Sequence, residues 1–284
     1  MGADEVEIRR LDPARLDELI EAQNEIFADY IIQIKSSRQF FLEFQRSVGG
    51  SLSTVLVAVR QGQIIGYVNP VIDGREAWIG GVGVVPARRN KGIGRRLMGA
   101  AEELCRAKGV TDISLEVIEG NVRAEKLYEQ LGYRETRKFL TAEGKPMRFE
   151  GYGNPPAPAS LTEVLPIHER AYQNTCWQRR KPDALVQSSR GGEIFKTGGG
   201  FVVLRCIETN GFIPFLGVVP EIRRKGIGTS LAKFALTRLH DQGAFKIALY
   251  NINDDLPTLR MLDMFDFKVT MKQIEMHKGL SREE

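Results

Sequence analysis

Apolar and polar residues alternate over Val6–Leu11, as in a strand with one buried face, and the period then changes. Asp12-Pro13 supplies a cap and a first helical residue, after which Leu16, Leu19, Ile20, Ala22 and Ile26 recur at helical spacing. A second helix is predicted from Ser37 to Phe44. Strands follow over 53–59, 64–72 and 77–85, separated by Gln61-Gly62-Gln63 and Asp73-Gly74-Arg75, glycine turns suited to an antiparallel meander. The last strand ends in Val82-Gly-Val84-Val85 and is stopped by Pro86. A basic glycine-bearing turn, Arg88–Gly94, runs directly into a helix with Ile93, Leu97, Ala100, Ala101 and Leu104 on one face. A strand at Ile113–Val117, then Asn121, then a short helix carrying Tyr128 and ended by Gly132 complete the unit. Tyr133–Phe139 and Pro146–Gly151 read as a closing strand pair around Gly144.

Gly153–Ser160 contains three prolines among small and polar residues and reads as a linker between a domain at 1–152 and another at 161–284. Beyond it a helix at Leu161–Tyr172 and strands at 193–195, 201–207 and 212–219 repeat the earlier order. Val218-Val-Pro220-Glu-Ile-Arg223-Arg-Lys225-Gly226-Ile-Gly228 then matches Val84-Val-Pro86-Ala-Arg-Arg89-Asn-Lys91-Gly92-Ile-Gly94, an offset of 134 residues (Gly92 to Gly226). The same offset lays Met261–Phe267 over Leu127–Tyr133 without a gap. A domain-sized period means a tandem duplication rather than a solenoid. The expected fold is α/β (α+β): two tandem domains, each a mixed, mostly antiparallel sheet flanked by helices.

Composition narrows the classes. With 42% hydrophobic and 27% charged residues, the 284-residue chain has the make-up of a globular protein. A formal net charge of +4 is too small to argue for nucleic acid. The three cysteines lack CxxC spacing, and Cys105 and Cys206 fall in periodic segments where a small buried hydrophobe is expected. No apolar run approaches the roughly 18 residues of a membrane span, and no basic leader opens the chain, so a cytoplasmic protein is expected. His168, His240 and His277 are scattered, and no metal site is expected.

The turn carries the chemistry. A P-loop would need GxxxxGK[ST], which is absent, and neither Gly81-Val-Gly83 nor Gly92-Ile-Gly94 continues into GxGxxG. Gly92 and Gly94 let a backbone approach phosphate oxygens, and the amides of a helix start are unpaired donors at the positive end of the helix dipole. Arg88, Arg89, Lys91 and Arg95 add positive charge.

This R-x-x-G-x-G turn after V-x-P, present twice, resembles that of the GNAT family of acetyl-CoA-dependent N-acetyltransferases, and both halves match in element order. Leu115-Glu116-Val117, Asn121, Ala124 and Leu127-Tyr128-Glu-Gln-Leu131-Gly132-Tyr133 resemble the family's second signature, particularly in its ribosomal-protein N-terminal acetyltransferases. The resemblance implies that Arg89, Asn90, Lys91, Gly92, Ile93, Gly94 and Arg95 bind the coenzyme pyrophosphate. Backbone groups at Val82 and Val84, freed by a bulge at Gly80-Gly81, would hold and polarise the thioester, and Asn121 would fix the cofactor arm. Tyr128 would protonate the departing thiolate, and Glu116 would help deprotonate the amine, with Glu76 and Glu119 as rival bases. Acetyl-CoA is the implied donor, a small-molecule amine or peptide N-terminus the acceptor, and direct attack in a ternary complex the route.

In the second repeat Arg223, Gly226 and Gly228 keep the turn, but Tyr128 maps to Leu262, Glu116 to Tyr250 and Asn121 to Asp255. The expectation is a catalytic first domain and a degenerate second one that binds cofactor weakly through Arg223, Gly226 and Gly228, shapes the substrate cleft or serves as a packing partner. The alternative is an acyl-CoA-binding regulatory or scaffold protein without turnover, and a dimer is left open.

Overall fold

A computed structural model describes residues 5–32, 35–151 and 155–280. The chain forms two compact units, the first made of Met1–Arg137 with Ile274–Glu284 and the second of Lys138–Gln273. The division thus falls at 137/138 and 273/274 rather than in the proline-rich stretch. Its cause is an exchange of terminal strands. Strand β6 (Arg134–Gly144) passes from the first unit into the second, and strand β12 (Lys268–Gly279) passes back.

The first unit begins with β1 (Glu7–Arg10), α1 (Leu16–Ile26) and α2 (Arg38–Val48). Asp12 accepts from the Ala14 amide before α1, and the Ser37 hydroxyl accepts from the Phe40 amide to cap α2. Then come β2 (Leu56–Arg60), β3 (Gln63–Asp73), β4 (Glu76–Val84), α3 (Ile93–Ala107), β5 (Asp112–Ile118) and α4 (Val122–Gln130). Ser53 and Thr54, expected in a strand, belong instead to a 3-10 turn, Leu52–Thr54, before β2. Sheet order is β1-β2-β3-β4-β5 followed by the tail of β12. Strands β1 to β4 are antiparallel neighbours, and β4 and β5 run parallel because α3 crosses between them. The core joins Leu97 and Met98 of α3 to Val57, Val68, Ile113 and Leu115, all 1% exposed or less. Burial of each such side chain is worth about 1.5–3 kcal/mol. Ile274 and Met276 belong to that same core, and Lys278 reaches Glu102 at 2.6 Å.

The second unit holds β7 (Ala157–Pro158), α5 (Leu161–Ala171), α6 (Trp177–Arg180), α7 (Pro182–Ser189), β8 (Glu193–Thr197), β9 (Gly200–Ile207) and β10 (Asn210–Val218). It continues through α8 (Ile227–Asp241), β11 (Lys246–Asn253) and α9 (Leu256–Met264). Its order is β6-β11-β10-β9-β8-β7. The closing hairpin expected around Gly144 does not form: 145–149 is not strand, and Phe139–Gly144 instead pairs antiparallel with Ile247–Asn253. A lone strand reads identically whichever partner it finds. Of the expected linker, 153–154 lies outside the described residues, Ala157–Pro158 adds an edge to β8, and Ser160 with Glu163 forms a capping box on α5.

The repeat is visible in the backbone. Asn90 (φ 62°) and Gly92 (φ 74°) answer to Arg224 (φ 64°) and Gly226 (φ 81°), ahead of two helices of 15 residues each. Cys105 and Cys176 are buried, while Cys206 is half-exposed, unlike the expectation for its strand.

Candidate active site

In the first unit β4 and β5 pair only over Glu76–Ile79 and Asp112–Leu115. The register of β4 against β3 shifts between Val68↔Val82 and Pro70↔Ile79, so one extra residue is inserted at Gly80-Gly81. The glycines make this geometry feasible: a Cβ at Gly81 would lie 2.8 Å from the Tyr67 hydroxyl, and one at Gly83 would lie 2.2 Å from Ile26 of α1. The bulge turns Val82–Val84 away from β5 and opens a cleft between the strands.

At one end of the cleft lies the turn. Gly92 caps α3 in the left-handed region without any side-chain cap, so the first amides of a 15-residue helix keep their positive character. Asn90, Lys91, Gly92 and Arg95 are exposed, and buried Ile93 anchors the helix beneath them. Gly94 faces Leu127, and Arg95 donates to Gln130 Oε1 at 2.6 Å, tying α3 to α4. Arg89 departs from its expected place at the phosphates. Its Nε donates to Val84 O (3.0 Å), one terminal nitrogen donates to Ile26 O (2.7 Å), and both terminal nitrogens bind Asp29. Arg223 does the same in the second unit, to Val218 O and Ala171 O, both at 2.9 Å. In each unit this arginine latches the strand end to the C-terminus of that unit's first long helix, α1 or α5.

On β5, Glu116 is the next residue whose side chain shares a face with Ser114 once pairing to β4 has stopped. The Trp78 indole N–H donates to its Oε2 at 2.5 Å. The residue is part-buried, yet its Oε1 is fully shielded and accepts no hydrogen bond. Burial lifts this carboxyl to about 8; the Trp78 bond opposes the rise, Glu275 adds to it, and Arg137 counters it. Glu76 and Glu119 are exposed, at the start of β4 and in the turn after β5.

Tyr128, on α4, is 7% exposed. Burial, with smaller contributions from Tyr30 and Tyr67, raises its pKa and keeps the phenol protonated. Tyr67 accepts from Gln23 at 2.9 Å. Asn121 caps α4, its Oδ1 accepting from the Ala124 amide (3.3 Å). The fold therefore sets Glu116 against Trp78 and, separately, Tyr128 beside Tyr30 and Tyr67, the last held by Gln23, and alternation alone marks Gln23, Tyr67 and Trp78 only as core or flanking positions.

The second unit keeps the turn and loses the rest. Tyr250 is 52% exposed and stacks on Phe212, whose counterpart in the first unit is Trp78. Leu262 is buried, and Asp255 caps α9 through the Thr258 amide at 2.9 Å. Among the described residues no three His, Cys, Asp or Glu side chains stand together as a metal site, and no helix is long and apolar enough to cross a membrane.

Known proteins bear the same marks. The uncharacterized N-acetyltransferase YhfO of Bacillus subtilis (strain 168) is 33% identical over 94 residues, 31% of this chain and 63% of that protein. The mycothiol acetyltransferase of Thermobispora bispora is 31% identical over 136 residues, 45% of this chain and 46% of that protein. The chain thus spans less than two thirds of either curated relative. Among solved structures, the tandem GNAT protein from the clavulanic acid biosynthesis pathway superposes with a TM-score of 0.69 at 17% identity, covering 99% of this chain and 100% of its own, a likeness of fold. The sequence model of the acetyltransferase (GNAT) family matches residues 16–133 and again 159–267. With most of its length covered by these two successive matches, the chain belongs to the acetyltransferase (GNAT) family as a tandem of two such domains.

Proposed function

We propose that the first unit transfers an acetyl group from acetyl-CoA to a primary amine, of a small molecule or a peptide N-terminus, by direct attack in a ternary complex. The observation that carries this reading is Glu116, held by the Trp78 indole where β4 and β5 part and retaining one shielded oxygen with no hydrogen bond. An ammonium or a bridging water would satisfy that oxygen. The relatives named N-acetyltransferase and mycothiol acetyltransferase support the class of reaction.

A long thioester bearing phosphates fits the features present. The uncapped start of α3, with Asn90, Lys91, Gly92, Ile93, Gly94 and Arg95, would take the pyrophosphate. Backbone groups of Val82 and Val84 on the diverging stretch of β4 would hold the arm and polarise the carbonyl. Asn121 would steady the arm where β5 gives way to α4.

Glu116 removes a proton from the ammonium, directly or through water. The amine nitrogen then bonds to the thioester carbon, the C–S bond breaks, and the nitrogen releases its second proton to solvent to leave the amide. Tyr128 gives its proton to the departing sulfur, and solvent exchange resets both side chains. No covalent enzyme intermediate is needed. The second unit, lacking both groups, is a degenerate copy.

The test is release of free CoA from acetyl-CoA across a panel of amines and N-terminal peptides. Turnover with at least one amine, lost in Tyr128→Phe while CoA still binds, is the expected result. CoA binding without release for any amine would replace this reading by that of a non-catalytic acyl-CoA scaffold.

A further inference from the structure

The second unit opens its sheet as the first does. Strands β10 and β11 pair only over Asn210–Phe212 and Lys246–Ala248, and the register of β10 on β9 shifts between Phe212 and Phe215. What lies in the resulting cleft is different. Arg179 of α6 is 8% exposed, and its guanidinium donates to Tyr250 O on β11 (2.7 Å), to Pro214 O on β10 (2.6 Å) and to the Tyr172 hydroxyl (3.2 Å). One side chain thus ties together two strands that have parted. The guanidinium also sits 5.3 Å from the Tyr172 ring centroid and 5.2 Å from that of Phe215.

Tyr172 closes the rest. Its hydroxyl donates to Leu216 O (2.9 Å) and accepts from Leu216 N (3.0 Å). Leu216 corresponds to Val82 at the 134-residue offset (Val82 to Leu216), so the strand-edge amide and carbonyl assigned to the acyl donor in the first unit are both taken here. His168 stacks on Tyr172 at 4.9 Å, and its Nε2 donates to Arg179 O at 2.9 Å, fixing the loop that delivers the guanidinium. Burial holds that imidazole neutral, which leaves it a single N–H for this bond. Thr175 and Asn251 add bonds to Asn253 and Gln178, so the segment ahead of Arg179 lies along β11.

We propose that Tyr172 and Arg179 form a built-in occupant of the second cleft, so that the chain takes one acyl-CoA, in the first unit, and the second unit takes none. The proposal rests on the acyl-CoA reading of the first unit and deepens it. A buried guanidinium bonded to three acceptors is costly to displace, because its partners would lose charge-assisted hydrogen bonds. A retained R-x-x-G-x-G turn is therefore no sign of a second ligand.

The experiment is titration of the full chain with CoA by calorimetry, together with residue-resolved amide exchange. One CoA per chain, slowed exchange at Val82 and unchanged exchange at Leu216 are expected. Two CoA per chain, or protection of Leu216 by CoA, overturns the proposal. Absence of any binding removes the acyl-CoA reading and this stoichiometry with it. The occupant itself is tested without ligand: Tyr172→Phe keeps the ring and should speed Leu216 exchange on the order of tenfold. Unchanged exchange in that variant, with its fold intact by circular dichroism, overturns the plug whatever the first unit binds.

Discussion

Arg137 and Glu275, 138 positions apart in the chain, form a two-point ion pair, Nε to Oε2 at 2.6 Å and a terminal nitrogen to Oε1 at 3.0 Å. Thr136 adds its hydroxyl to the same carboxylate at 3.1 Å. Glu275 is 8% exposed, so the pair is the means by which a charged side chain is tolerated inside the first unit. Arg137→Met leaves that carboxylate buried without its charge partner. Because the Arg137 side chain is 38% exposed, a loss of about 2–3 kcal/mol is expected, below the roughly 3–5 kcal/mol of a fully buried pair. The double variant Arg137→Met/Glu275→Leu should recover most of it, as urea unfolding of the single and double variants will show. Additive losses would mean the pair is not coupled.

Glu116 makes a second prediction, for stability against pH. Its folded pKa of about 8 lies above the unfolded value, so the native state binds the extra proton between roughly pH 4.5 and 8. Its ionisation therefore lowers stability progressively as pH rises through that window, after which the effect is constant. Glu116→Gln abolishes this titration. Its melting temperature relative to the unmodified protein should climb by several degrees from pH 5 to pH 9. A constant difference would place the carboxyl at its ordinary value.

The same group predicts a rate profile. A base must be ionised to accept a proton, so kcat/KM should rise about tenfold per pH unit below an inflection near 8 and level above it. The inflection should stay put across acceptor amines of different basicity, which separates it from titration of the amine. Glu116→Gln should lose about 10²–10⁴-fold in kcat and lose the inflection.

Arg89 and Lys91 should part company although they belong to one motif. Arg89→Ala breaks bonds to Val84 O, Ile26 O and Asp29, and a fall in ligand-free stability of about 1–3 kcal/mol is expected. Exposed Lys91→Ala should leave the melting temperature unchanged and weaken CoA about tenfold at low salt, less at high salt. Thermal melts with and without CoA distinguish the two.

Much of this was legible in the chain. Gly92 and Gly226 are required by left-handed backbone ahead of a helix, a local need that any reading of the turn detects. The duplication is a matter of register and needs no structure. What a motif does not carry is the partner of a side chain. Asp29 and Ile26 lie about 60 positions from Arg89, and only the packing of α1 under β4 brings them to it. Trp78 reads as one more apolar residue of a strand until β5 places Glu116 beside its indole. The short α6 has too few residues to show a period, so nothing in the sequence marks Arg179 as a buried side chain. Strand exchange leaves no mark at all, since alternation records that a strand is half-buried and not which sheet receives it.

That exchange also orders events during synthesis. Ile274 and Met276 belong to the same core as Leu97 and Ile113, so the first unit stays unfinished while the whole second repeat is being translated. At roughly 5–20 residues per second, the interval between Arg137 and Ile274 lasts on the order of ten seconds. The usual order for tandem domains, first made and first folded, is closed to this chain. Its leading unit leaves the ribosome with an open sheet edge and waits for a strand translated after the second repeat.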